Sequence, residues 1–384
     1  MSAVGSERAA VATTLAFGTL STVVPLVLPG LVGILKQGHG FDDAQLGYLS
    51  SADLAGMTLG SAIGAQVVSR TGIRGGARWG LVIAALANLA SAPVGGFWSL
   101  LLLRSLAGIG AGLVVAICYV VLGQSRQVDR NFSLYLICQL LLSAVAFQWM
   151  PAVSAVVGVA GIFTALGVLF AVSLWPNRIL PAGKLQAAGV PLANTPLGFA
   201  AWMGLAGTLI YFVAQGSVWA YFELIGERGG VTAQQASSGL AVATLVGLLG
   251  PGAAALSGAR FGRLGPTVLG IGVQLYSLYL LAATSLTPLR FTFAACVFNV
   301  AWNFTIPFQY ATIATVDRSG RAIGWAAPIS FAGFSLGPVA AATLVNQTNF
   351  AGVLWLSAVL FVVSLLGFAP AWSGGSILRR STST

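Results

Sequence analysis

Apolar stretches long enough to cross a lipid bilayer follow one another along almost the whole chain. Breaks in hydropathy, marked by charge, glycine or proline, leave stretches at 9–35, 44–68, 78–96, 97–122, 132–152, 154–175, 198–222, 234–257, 266–285, 288–315, 322–345 and 350–372. Each is close to or above the roughly 20 residues that an α-helix needs to span the hydrocarbon. The short polar N-terminus, MSAVGSERAA, leads straight into the first stretch, which is longer than the core of a signal peptide and is read as a membrane helix. The expected fold is an all-α membrane protein with twelve transmembrane helices.

The charge content leaves no soluble alternative. Only 7% of the 384 residues are charged, against about 25% in a soluble domain, while 57% are hydrophobic and the mean hydropathy is +0.90. The net charge of +10 does not point to nucleic acid, because its basic residues are separated by long apolar runs and form no stripe for a phosphate backbone. The three cysteines, Cys118, Cys138 and Cys296, stand alone in apolar runs and are read as packing residues.

Charge also orients the chain. With the N-terminus inside, fourteen of the eighteen basic residues fall on the cytoplasmic side: Arg8, Arg70, Arg74, Arg78, Arg126, Arg130, Arg178, Lys184, Arg260, Arg263, Arg318, Arg321, Arg379 and Arg380. Lys36, Arg228 and Arg290 remain outside, and Arg104 lies within a span. The positive-inside rule therefore places both termini in the cytoplasm, in a cell (inner) membrane.

The two halves resemble each other. SRTGIR (69–74) recurs as ARFGR (259–263) at an offset of 190, and VDR (128–130) recurs at 316–318 at an offset of 188. The polar stretch 176–198 separates them. The expected organisation is an N-terminal six-helix bundle over 1–175, a cytoplasmic linker over 176–197, and a C-terminal six-helix bundle with a short tail over 198–384.

On these features the whole chain resembles the major facilitator superfamily, nearest in look to compact bacterial effluxers. The family's signature between spans 2 and 3 is similar to AQVVSRTGIR, with Arg70, Gly72 and Arg74 in place, while Ser69 stands where an aspartate is expected. The family pattern R-x-x-x-G-x-G-x-G resembles span 4, with Arg104, Gly108, Gly110 and Gly112. The drug:proton antiporter pattern G-x-x-x-G-P is absent from span 5, and the similar GFSLGP (333–338) occurs in span 11. The resemblance implies two bundles related by a pseudo-two-fold along the membrane normal, alternating access, and a central cavity lined by spans 1, 4, 7 and 10.

Two charges, Asp53 and Arg104, lie well inside expected spans, and a charge in hydrocarbon faces a cavity or a partner. Asp53 is followed by Gly56, Gly60 and Gly64, and Arg104 by Gly108 and Gly112, so each shares a helical stripe with glycines that permit close helix packing. At 1.5 Å per residue the two charges lie at similar depth, roughly 10–14 Å below the outer ends of their helices. They are expected to pair, either as a static bridge or as a proton-coupling pair whose separation lets the carboxylate take up a proton.

Polar and aromatic residues recur at helical spacing in the other spans. The candidate cavity residues are Tyr135 and Gln139 in span 5, Tyr211, Gln215 and Trp219 in span 7, and Asn299, Asn303 and Tyr310 in span 10. No charged residue is placed inside spans 7 to 12, which suits a neutral, aromatic or monovalent organic solute better than a multivalent anion. His39 is read as a solvated loop residue, and the Asn-Gln-Thr triplet at 346–348 as a glycosylation acceptor with little chance of use. No metal motif, paired catalytic carboxylates or nucleophile elbow appears, so no enzyme activity, metal or cofactor is expected. The expected function is proton-coupled export of a small amphipathic or aromatic compound. The alternatives are proton symport of an organic acid held by Arg104, or passive facilitation with a structural bridge. The expected partners are the solute, protons and the lipid bilayer, with no nucleic acid and a monomeric chain.

Overall fold

The computed structural model describes residues 3–181, 183, 197–257, 261–317, 321–345 and 350–380, and no strand occurs among them. Lys184, Arg260, Arg318 and the triplet 346–348 lie outside the described residues. The helices are α1 (Ala3–Ser21), α2 (Val23–Leu26), α3 (Leu28–His39), α4 (Asp43–Ser91), α5 (Phe97–Gly123), α6 (Val128–Ser173), α7 (Phe199–Arg228), α8 (Ala233–Val246), α9 (Leu249–Ser257), α10 (Leu264–Leu281), α11 (Pro288–Val316), α12 (Arg321–Ala342) and α13 (Ala351–Arg380). A 3₁₀ turn covers Pro176–Ile179. The chain divides into two compact units, Met1–Ala188 and Gly189–Thr384.

Seven stretches among the described residues are long and apolar enough to cross a membrane: Phe97–Gly123, Arg130–Ile179, Phe199–Arg228, Ala233–Ser257, Leu264–Leu281, Pro288–Val316 and Ala351–Pro370. Pro328–Ala342 is a shorter apolar helix. Helix α4, which carries Asp53, three arginines and many glycines and serines, is not in that set. The first expected span is three pieces, α1 to α3. Pro25 and Pro29 each remove one backbone donor there, yet Leu26, Val27 and Leu31 still bond the carbonyls four residues back, so the helical path continues with bends.

Two long helices double back on a single glycine. A straight helix of 49 residues would run about 74 Å, more than twice the hydrocarbon thickness. Helix α4 instead turns at Gly72, with φ 76° and ψ 169°. Before that point Gly56 and Gly60 lie against Ser105 and Ile109 of α5. Beyond it Gly76, Gly80 and Ala84 lie against Ile117, Val114 and Gly110. The contacts climb α5 and then descend it. In α6 the same reversal falls at Gly158, with φ 65° and ψ −175°.

These reversals correct two sequence expectations. The stretch 69–78 is helix on both sides of Gly72 rather than a loop, and the break between spans 5 and 6 lies at Gly158 rather than near Pro151. Proline keeps φ negative and stays inside the helix, whereas a reversal needs a backbone conformation that only glycine adopts without strain.

The internal resemblance extends to backbone conformation. Gly40 and Gly230 have φ of 65° and 101°, and Gly72 and Gly262 have φ of 76° and 66°. Asp42 and Thr232 each open a helix with a capping box closed by Gln45 and Gln235. All four pairs are 190 residues apart, the offset of the SRTGIR match. Phe41 and Val231, just before the caps, are both buried. His39 is not a freely solvated loop residue. It ends α3 half-buried, its ring stacks on Phe41 with centroids 5.2 Å apart, and Nε2 lies 3.2 Å from the Val94 carbonyl.

Candidate functional site

The glycine stripes of α4 and α5 face each other. A Cβ at Gly108 would overlap the carbonyl of Asp53, one at Gly112 that of Met57, one at Gly56 that of Ser105 and one at Gly60 that of Ile109, while one at Gly64 would meet the Ala116 methyl. With the backbones this close, the two charged side chains on the same stripes meet. Arg104 Nη2 donates to Asp53 Oδ1 at 3.2 Å, and Nε lies 3.0 Å from Oδ2, out of hydrogen-bond alignment. Nη1 donates at 3.0 Å to Asn88 Oδ1, whose amide nitrogen returns to the Ala84 carbonyl of its own helix. The guanidinium carbon sits 4.7 Å above the Phe163 ring. Arg104 is 1% exposed and Asp53 7%.

This triad is a buried, net-neutral ion pair with a neutral amide as third member. Beside it is a cavity of about 20 Å³, the size that holds one water molecule. Ser21 and Pro25 of the first expected span line it, with Met57 and Phe170, and the Ser21 hydroxyl is buried without a hydrogen-bond partner.

No family model matches the sequence. A protein of Escherichia coli described as the uncharacterized MFS-type transporter YcaD is 26% identical over 303 residues, covering 75% of this chain and 74% of its own. Among solved structures, a mutant of the nucleoside transporter NupG superposes with a TM-score of 0.77 at 13% identity, covering 94% of this chain and 99% of that one. A D-xylose-proton symporter gives 0.72 at 15% identity, covering 96% and 97%. A structure described under substrate recognition in proton dependent oligopeptide transporters gives 0.74 at 16% identity, covering 97% and 99%.

The chain has the fold of these solved transporters and resembles an MFS-type transporter in sequence. These relatives and structural neighbours are transporters rather than enzymes.

The stretch that resembles the superfamily signature, in the middle of α4, bonds the start of the linker. Arg74 Nε and Nη2 donate to the Leu180 carbonyl at 3.0 and 2.7 Å, Asn177 Nδ2 donates to the Arg74 carbonyl, and the Ile73 amide bonds the Gly183 carbonyl. Gly72 supplies the reversal and Arg70 is exposed. In GFSLGP, Gly333 and Gly337 lie against the α7 backbone at Leu209 and Ser217, and Ser217 Oγ donates to the Gly337 carbonyl.

The residues expected to line the cavity take up different positions. Tyr135 and Gln139 fasten α6 to the first span, donating to the Gly18 carbonyl and to Thr22 Oγ1. Tyr211 is fully buried, and Gln215 accepts from Gln274 Nε2 at 2.7 Å inside the second unit. Trp219 packs edge-on against Trp302, with centroids 5.6 Å apart. Asn299 and Asn303 turn their amides back to carbonyls four residues earlier on α11, and Tyr310 bonds Ser330 at 2.8 Å.

Sequence reasoning missed Asn88 and Gln274, each a single amide in an apolar run, and Gln309, which follows Asn299 and Asn303 on α11. Both side-chain polar atoms of Gln309 are buried without a partner. Glu223 is a correction. Spans 7 to 12 are not free of buried charge, because α7 continues to Arg228 and Glu223 lies within it, buried. A hydropathy break cannot distinguish a buried carboxyl from the end of a span.

Proposed function

We propose that this protein is a proton-coupled secondary transporter working by alternating access, and that it exports a small amphipathic or aromatic organic compound. The proposed machine has twelve spans in two six-helix bundles, over 1–175 and 198–384, related by a pseudo-two-fold along the membrane normal. The linker at 176–197 and both termini face the cytoplasm, the setting is the inner membrane, and the chain works as a monomer. The observation that carries proton coupling is the Asp53–Asn88–Arg104 triad beside a water-sized cavity. Asp53 is charge-balanced while Arg104 grips it. A movement of α5 against α4 that loosens the fork leaves a buried carboxylate with water at hand, and protonation then removes the unbalanced charge. Two of the structural neighbours are named for their dependence on protons, which supports the same reading. The solute site is proposed among Tyr135, Gln139, Tyr211, Gln215, Trp219, Asn299, Asn303 and Tyr310, exposed in a more open state.

Two observations favour other readings. The two-pronged fork with Asn88 completing it suits a static bridge in a passive facilitator, and likeness to a D-xylose-proton symporter suits uptake. Ligand-induced thermal stabilisation of the purified protein separates them, using neutral aromatics, monocarboxylates, organic cations and sugars at mildly acidic and mildly alkaline pH, with Asp53→Asn as control. Tighter binding at alkaline pH that loses its pH dependence in Asp53→Asn means proton and solute compete, as export by exchange requires. Tighter binding at acidic pH means symport. Binding independent of pH in both proteins leaves the pair a structural bridge.

A further inference from the structure

Glu223 is a buried carboxyl that the transport reading does not use, and unlike Asp43, which pairs with Lys36, it has no basic partner among the described residues. It lies five residues before the end of α7, about 8 Å inside the helix, and is 2% exposed. Ser237 Oγ, fully buried on α8, donates to Glu223 Oε2 at 2.9 Å. From α7 itself the charged group bearing on it is another carboxyl, Glu227, one turn further out. From α11 comes an apolar wedge, the Phe291 ring, which packs against Gly226 of α7 and Gly239 of α8. The nearby arginines are directed elsewhere. Arg290 donates to the Leu280 carbonyl, and the Arg228 guanidinium lies over the Phe350 ring. Among the described residues no basic side chain pairs with Glu223.

Asp53 and Glu223 are therefore in opposite situations. Asp53 is held by a guanidinium and can stay ionised. Glu223 has a hydroxyl and a neighbouring carboxyl and no guanidinium, and a buried carboxylate so placed is relieved by taking up a proton rather than by staying charged. With Ser237 donating to Oε2, Oε1 is the oxygen left to carry the hydrogen. We propose that Glu223, held by Ser237, is a proton-binding site of the second unit, occupied while the end of α7 is closed. The carboxylate gains one O–H bond and loses its charge, the proton coming from water. It returns to water when this end loosens, since Glu227, Arg228 and Gly229, the next turn of the chain, already reach the surface. This deepens the proton-coupled reading by adding a second carrier, although the proton on Glu223 stands whether or not Asp53 takes part.

Infrared spectroscopy of the full chain in lipid reads the proton directly, without a solute. The carbonyl stretch of a protonated carboxylic acid is followed while pH is raised, in wild type, Glu223→Gln, Ser237→Ala and Asp53→Asn. The expected result is a band at neutral pH in wild type that fades as pH rises, persists in Asp53→Asn and is lost in Glu223→Gln. In Ser237→Ala it should persist at higher frequency, because its carbonyl has lost a donor. That shift assigns the band even if Glu223→Gln folds poorly. A wild type with no such band, a band unmoved by Ser237→Ala, or one lost in Asp53→Asn overturns the inference. The pH dependence of solute binding, read with Asp53→Asn, tests the transport mechanism separately.

Discussion

The ion pair between α4 and α5 can be weighed by a double-mutant cycle on Asp53 and Arg104. Removing one member of a buried pair leaves the other charge uncompensated, a loss of about 3–5 kcal/mol. Each partner has reason to lie at the upper part of that range. Arg104 is 1% exposed and is left with neutral partners alone, the amide oxygens and the Phe163 ring, when Asp53 becomes Asn. Asp53 loses both nitrogens of the fork when Arg104 becomes Gln. Replacing both removes charge from the site, so the double variant should be no less stable than either single one. The coupling energy then comes to about 3–5 kcal/mol, roughly two to four decades in the unfolding equilibrium. Reversible unfolding in mixed detergent and dodecyl sulfate micelles, followed by tryptophan fluorescence, measures all four corners. Losses that simply add, about 6–10 kcal/mol for the double variant, would refute the reasoning. So would single losses below about 1 kcal/mol, since that is the worth of a solvated pair.

Two further measurements probe the scaffold. Gly60→Val should lower stability by at least about 1–3 kcal/mol, because its Cβ would overlap the Ile109 carbonyl and force α4 from α5, whereas Gly123→Ala, which meets open space, should change the melting point little. Gly72→Ala and Gly262→Ala should each destabilise by about 1–3 kcal/mol, since both hold φ in the region that side chains rarely adopt; a melting point unchanged in either would mean that its positive φ is not required.

Where the sequence was legible, one-dimensional spacing determined the contact. Asp53, Gly56, Gly60 and Gly64 share a stripe, as do Arg104, Gly108 and Gly112, and two such stripes meet because small residues let the backbones approach. Asn88 was not legible in that way. It joins Arg104 only because α4 reverses at Gly72 and returns along α5, and the conformation of one glycine decides that. Glu223 was hidden for the opposite reason, its charge having been taken as the end of the helix that buries it. The internal repeat was partly visible as SRTGIR and ARFGR. Its better-preserved part, the paired capping boxes and left-handed glycines, shares too few residue identities to stand out before the backbone is seen.

The closed fork of Arg104 on Asp53 also has an electrical meaning. A carboxylate and a guanidinium together carry no net charge, so the pair can shift with its helices through the membrane field without electrostatic work. Once Asp53 is protonated, Arg104 remains as one uncompensated positive charge, and carrying that charge across a full potential of 100 mV involves about 2.3 kcal/mol. On the proposed proton-coupled reading, the same two side chains would make the proton-loaded form, and not the empty one, respond to voltage.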